Sequence, residues 1–246
     1  MLRTVLVGIC ILFQTSQAFG QHIDQNAIYD WYDEKTNPAS STLYNGVQYI
    51  NEFVVFKDTL HQFYNTNKFE KGRVVCDNKY FGSVFLKYDL YNDDLILAPS
   101  GSSGSFPFKL LKSNVGSFEL NETRFVNVDK LKKVGDNQKV GFCEFIWGNN
   151  KFELYKKSWK VKKEITVKNR RFYEFSEKGR FYVYFKENFY PADDKTDWVS
   201  LFPEHKETIR AFFKDARKQL KTNPAKFYER LSNLINTKLI EEQTNA

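Results

Sequence analysis

Ser83-Val84-Phe85-Leu86-Lys87-Tyr88-Asp89-Leu90 (SVFLKYDL, residues 83–90) is the stretch that decides the fold class. Val84, Leu86, Tyr88 and Leu90 alternate with Phe85, Lys87 and Asp89. Successive side chains of a strand point to opposite faces, so this spacing makes one face apolar and the other mixed. It predicts a strand in a sheet with one side covered. The same texture recurs outward from it, in short runs rich in Val, Ile, Phe and Tyr. These are Gln48–Phe56, Gly72–Cys76, Tyr80–Tyr88, Leu95–Ala98, Phe106–Leu111, Ser117–Leu120, Val140–Trp147, Phe152–Lys156, Trp159–Val167, Phe172–Phe175 and Arg180–Phe185. Such runs separated by turn residues read as strands. Asp77-Asn78, Asn92-Asp93-Asp94 and Gly148-Asn149-Asn150 tolerate the left-handed backbone of a tight hairpin. Glu177-Lys178-Gly179 offers a glycine for a further hairpin turn, and Gly101-Ser102-Ser103-Gly104 reads as a flexible loop. Short hairpins force antiparallel neighbours.

The texture changes after Tyr190-Pro191. Residues 188–198 are polar and turn-like. Pro203 then opens a helical pattern with Ile209, Phe212, Phe213, Ala216 and Leu220 on one face. Asn223 is placed to cap a second helix with Pro224 at its first position, and Phe227, Leu231, Leu234 and Ile235 form that helix's apolar stripe. The expected fold is mainly β: a large curved antiparallel sheet, an open barrel or sandwich-like, with a C-terminal helical hairpin packed on it. The expected division is 1–18 signal peptide, 19–43 polar N-terminal arm with a short helix around Ile28–Tyr32, 44–190 β body and 191–246 two-helix segment.

The chain opens with Arg3 and then an unbroken apolar run, Val5–Phe13. A membrane span needs about 20 apolar residues, so this run is too short to cross a bilayer and suits a secretory signal. Ser16 and Ala18 supply the small residues of a cleavage site after Ala18. Export to a periplasm or cell surface is therefore expected. That address changes the reading of the net charge of +7. Nucleic acid drops out as a partner, leaving anionic lipid, acidic glycans or an acidic protein surface, or simple solubility. No later segment is apolar enough to span. Removal of Cys10 with the signal leaves Cys76 and Cys143, which would form one disulfide in an oxidising compartment or stand as two buried thiols.

No catalytic or cofactor signature is present, so no cofactor or metal is expected and a non-enzymatic role is the leading reading. His22, His61 and His205 stand at no metal-binding spacing, and only His61, between Asp58 and Tyr64, lies near a plausible site. The carboxylates Asp89, Asp93, Asp94 and Asp193, Asp194, Asp197 lack the glycine and terminal glutamate of an EF-hand and read as turns and helix approaches. The sharpest local feature is Lys151–Arg171, dense in lysine and arginine with interleaved aromatics. Lys156, Trp159, Lys160, Lys162, Arg170 and Arg171 are its candidate ligand-binding residues, with Lys160 and Lys162 sharing one strand face beside Ser158. A basic, aromatic-edged face would take anionic headgroups or glycans. The same lysines would equally blunt an edge strand against aggregation.

Tyr44-Asn45-Gly46-Val47-Gln48-Tyr49, His61-Gln62-Phe63-Tyr64, the hairpin from Gly72 to Lys87-Tyr88-Asp89-Leu90 and the charged helical tail together resemble a family of uncharacterised exported proteins of Bacteroidetes-type bacteria. The likeness spans residues 44–236 and implies location and architecture, not chemistry. It also draws attention to Asp58-Thr59-Leu60, a short pattern such bacteria O-glycosylate, with Thr59 as the acceptor. Three roles follow as expectations. The first is a binding or accessory module of an outer-membrane or surface assembly, partnered by protein or by anionic lipid or glycan. The second is a periplasmic carrier holding a lipid or other apolar ligand in the curved sheet. The third is a glycan-binding or glycan-acting protein.

Overall fold

The computed structural model describes residue 43 and residues 46–98, 106–131 and 139–244. The signal peptide, the arm with its short helix, His22, Tyr44-Asn45 and the Gly101–Gly104 loop lie outside the described residues. The strands are β1 (Val47–Gln48), β2 (Glu70–Cys76), β3 (Lys79–Asp89), β4 (Asp94–Leu97), β5 (Phe108–Lys109), β6 (Val115–Leu120), β7 (Thr123–Asn127), β8 (Phe142–Gly148), β9 (Phe152–Val167), β10 (Arg170–Phe185) and β11 (Asn188–Pro191). They form one open sheet in the order β1-β5-β4-β3-β2-β6-β7-β8-β9-β10-β11. Every strand pair is antiparallel. The expected mainly-β fold with helices packed on the sheet is therefore the fold observed.

Several boundaries differ from the sequence reading. Phe152–Lys156 and Trp159–Val167 are one 16-residue strand, and β10 likewise runs without a break through Glu177-Lys178-Gly179. The glycine is not a turn: Gly179 pairs with Ser158 in mid-ribbon. The turn of this hairpin is Lys168-Asn169, with φ of +47° and +62°. Positive φ at both central residues matches the twist of the flanking strands, and asparagine tolerates it. Asp77-Asn78 has the same geometry, at +50° and +60°. Gln48–Phe56 is not a single strand. Val47 and Gln48 pair with β5, whereas Val55 makes a lone parallel bridge to Tyr173 on β10. One stretch thus touches both end regions of the sheet and can be regular at neither.

The sheet curls far enough for its interior strands to meet. Lys160 of β9 donates its backbone N–H to Leu90 O, at the end of β3. Lys157 of β9 bonds Asp93 in the β3–β4 turn at 2.7 Å. The concave face between them is filled. Tyr88, Phe118, Phe125 and Phe142 pack ring against ring with centroids 4.8–5.9 Å apart. Leu86, Leu95, Leu97 and Val115 complete the packing, all buried. Each such side chain stabilises by roughly 1.5–3 kcal/mol through burial.

Residues 188–198, expected as turns, form β11 and the start of a helix, α1 (Lys195–Leu201). It begins at a capping box: Asp194 accepts from the N–H groups of Thr196 and Asp197, and Asp197 accepts in return from the Asp194 N–H. The first expected helix follows as α2 (Lys206–Asp215) and α3 (Arg217–Thr222), interrupted at Ala216. The second is α4 (Pro224–Thr244), entered through Asn223, whose side chain accepts from Lys226 N. Trp198, fully buried, stacks on Tyr228 and donates its indole N–H to Ala192 O. With Phe152, Leu154, Phe181, Val183, Phe202, Ile209, Phe227 and Leu231 it fixes the helices to the lower half of β9 and β10.

Cys76 and Cys143 are separate buried thiols, the second of the two readings the sequence left open. Cys76 packs in the concave core with Phe142. Cys143, the next residue after Phe142, belongs to a cluster with Val126, Val128 and Tyr155 on the other face. Side chains leaving opposite faces of a sheet cannot meet at the short sulfur–sulfur distance a disulfide requires. Burial pushes the Cys76 thiol above its usual range.

Candidate functional site

The β9–β10 ribbon holds every ligand-binding residue suggested by the sequence, Lys156 in its lower half and the rest above it, and strand alternation divides them. Lys156, Lys160 and Lys162 lie on one face with Ser158, as the sequence spacing requires, and Arg171 joins them through its pairing with Thr166. Trp159 and Arg170 lie on the other. They are not one face.

The inner set is consumed by internal contacts. Lys160 donates to the carbonyls of His61 and Phe63, each at 2.7 Å. Burial holds its ammonium below the usual lysine range. Lys156 stands 3.8 Å from Glu144 and 4.0 Å from Glu177. The Lys162 ammonium lies 4.8, 5.4 and 5.2 Å from the ring centres of Phe53, Tyr91 and Tyr173. This is a cation–π cage built from three separate chain segments. Arg171 pairs with Glu164 at 2.9 Å. Lys160 and Lys162 thus tie the segment 53–64 to the ribbon, while Lys156 and Arg171 pair with carboxylates of the sheet itself.

The edge-strand reading of the same lysines has a structural counterpart. β8 pairs with β9 only as far as Lys156. Beyond that point the β8 side of β9 makes, among the described residues, one backbone bond, from Lys160 to Leu90. Lys160, Lys162 and Lys163 all sit on this open edge, where lysine discourages pairing with another chain.

The outer face is different in kind. Trp159, Val161, Lys163, Ile165 and Val167 of β9 alternate there with Lys178, Ser176, Glu174, Phe172 and Arg170 of β10. The bridge at Tyr173 adds the segment Val54–Phe56 alongside β10, with Phe56 edge-on to Phe172 at 5.7 Å. Val54 is 63% exposed, Phe56 42% and Val161 40%, while Trp159, Ile165 and Phe172 are half-buried. This three-stranded surface carries an apolar stripe that no other element among the described residues covers. Among the described residues, Lys163, Lys168, Arg170 and Lys178 around it make no ion pair. The signal was present in the sequence as the spacing Trp159-Val161-Lys163-Ile165-Val167. The density of lysine and arginine from Lys151 to Arg171 masks it.

The titratable candidates are structural. His61 is buried and its Nδ1 accepts from the Phe63 N–H at 3.1 Å. Burial, then the nearby Lys160 and Lys87 ammonium groups, hold it below the usual imidazole range. Asp89 is buried in its own turn, accepting from the N–H groups of Tyr91 and Asn92 and from the Asn92 side chain. Burial nevertheless keeps its carboxyl above the usual range. Asp93 accepts from Tyr88, Lys112 and Lys157. Asp193 binds Arg180 and the Phe181 N–H, while Asp194 and Asp197 cap α1. No group of three His, Cys, Asp or Glu residues among the described residues is placed to hold a metal. Thr59 is exposed on a single 3-10 turn, Asp58–Leu60, so its hydroxyl is accessible to modification. No helix is long and apolar enough to cross a membrane among the described residues. Comparison with known protein families, with curated proteins and with solved structures finds no match to this chain.

Proposed function

We propose that this chain is an exported, non-enzymatic binding module of the cell envelope, working through the outer face of the β9–β10 ribbon. The observation that carries the reading is a contrast. The polar groups that would perform chemistry are tied into turns, caps and strand junctions, while one strongly built sheet face, among the described residues, stands uncovered with its apolar side chains outward. Water tolerates scattered exposed apolar residues, but a contiguous patch rimmed by polar groups marks a binding surface. The apolar run Val5–Phe13 with its small residues before Phe19, and the resemblance to exported proteins, support the address. The carrier reading is not favoured, because Tyr88, Phe118, Phe125 and Phe142 occupy the concave face a ligand would need.

A photo-reactive amino acid placed at Val161 in living cells tests this, with the same group at Phe85 as control. Phe85 is 54% exposed and lies on β3, away from the ribbon. Adducts from position 161 and none from 85 are expected. Equal labelling at both, or none at 161, would refute the assignment.

A further inference from the structure

We propose that what the ribbon's outer face binds is an anionic lipid surface; this rests on the reading just given and names its partner. Two observations favour lipid over a protein surface. The ribbon's own charge at the apolar stripe is mostly of one sign, with Lys163, Lys168, Arg170 and Lys178 against Glu174, and the flanking segment adds exposed Lys57 with Glu52 and Asp58. Lysine is also the wrong residue for a protein–protein core, where it is depleted. At a membrane it is well placed, because its alkyl stem covers apolar surface while the ammonium reaches the headgroups. Trp159 belongs at the same depth, since tryptophan favours the headgroup boundary. Val54, Phe56 and Val161 would then enter the outer acyl region, and the Lys168-Asn169 turn would lie among the phosphates. The inner-face lysines are excluded from this role by their contacts with His61, Phe63, Glu144 and the Lys162 ring cage.

The test is co-sedimentation of the full chain with vesicles of phosphatidylcholine alone or with one quarter phosphatidylglycerol, at low and high salt. Wild type and variants are compared directly, so any contribution of Val5–Phe13 is common to both. Each surface cation contributes about five-fold to binding of an anionic membrane. Lys163→Glu with Lys178→Glu is therefore expected to weaken binding to the anionic vesicles at least 25-fold, and Val161→Glu at least ten-fold, with unchanged circular dichroism and melting temperature. High salt should release the wild type, because it screens headgroup attraction. Binding that ignores phosphatidylglycerol, or variants that bind like wild type, would overturn the proposal. If vesicles fail but position 161 still labels an envelope protein, the lipid assignment falls and the binding face stands. If both fail, so does the binding face.

Discussion

Replacing Asp93 with alanine should unfold the molecule more readily than any other single change in the β3–β4 turn. Asp93 Oδ1 accepts from Tyr88 Oη at 2.5 Å and from Lys157 Nζ at 2.7 Å. Its Oδ2 accepts from Lys112 Nζ at 2.8 Å and from the Phe142 N–H at 3.4 Å. The Lys157 side chain is 13% exposed and that of Asp93 is 20%. Removing one member of a fully buried pair costs about 3–5 kcal/mol, because the remaining charge is left without compensation. Here Lys157 keeps a bond to Phe142 O, and the site is not wholly dry. The expected loss is therefore about 2–4 kcal/mol. In a chain of this size that lowers the melting temperature by roughly 6–12 °C. Lys112 is more exposed, so Lys112→Met should cost only about 0–1 kcal/mol. The decisive comparison is the double variant. Lys157→Met removes the stranded charge while keeping the packing of the stem, so Asp93→Ala with Lys157→Met should be more stable than Asp93→Ala alone. Urea unfolding followed by tryptophan fluorescence gives each value. A cost below about 1 kcal/mol for Asp93→Ala, or strict additivity in the double variant, would refute the claim that this pair locks β9 to the β3–β4 turn.

The His61 imidazole, held low by burial and then by Lys160 and Lys87, should titrate below its unfolded value of about 6.5 in an NMR titration. A folded pKa below the unfolded one gives stability that is present above the unfolded pKa and lost as pH falls through it, so stability should decline below about pH 6.5. His61→Gln should remove that part of the slope; an unchanged slope would show that the imidazole does not control it. Because Cys76 and Cys143 are separate buried thiols, alkylation after unfolding without reductant should modify both, and reductant should leave the melting temperature unchanged. A melting temperature lowered by reductant would contradict the placement on opposite faces. Lys168-Asn169 turns with positive φ at both residues, so Lys168→Asn with Asn169→Gly should stabilise by about 0.5–1 kcal/mol. A loss of stability there would mean that the ribbon turns elsewhere.

The period-two texture around Ser83–Leu90, with the hairpin turn residues between such runs, was enough to read an antiparallel sheet with one covered face, because alternation and turn chemistry are local properties of the chain. The helical tail was equally legible, through Asn223-Pro224 and the stripe of Phe227, Leu231 and Ile235. The failures came where a local signal has two meanings. Gly179 reads as a turn residue, but it lies within a strand whose neighbours, from Phe175 to Phe185, supply enough pairing to carry it. Asp194-Lys195-Thr196-Asp197 contains a capping pair, yet its polarity hid a helix. Gln48–Phe56 has strand composition, but its partners at Lys109 and Tyr173 are far away in sequence, and no local pattern reveals them. The site was half legible. The sequence located the ribbon and put Lys160 with Lys162. It could not show that carbonyls of residues 61 and 63 and three rings would occupy those lysines, since those contacts exist only after the segment 49–64 has crossed the sheet. What remains outward, Val161 with Trp159 and Ile165, follows from alternation once β9 is known to be a single strand.

We propose this outward face, and not the lysines beneath it, as the working surface. Association with washed envelope membranes, measured side by side for wild type, Val161→Glu with Lys163→Glu, and Phe85→Glu, tests it most directly. The ribbon variant is expected in the soluble fraction, while Phe85→Glu stays bound like wild type. Retention of the ribbon variant at the wild-type level, with its fold intact by circular dichroism, would contradict it.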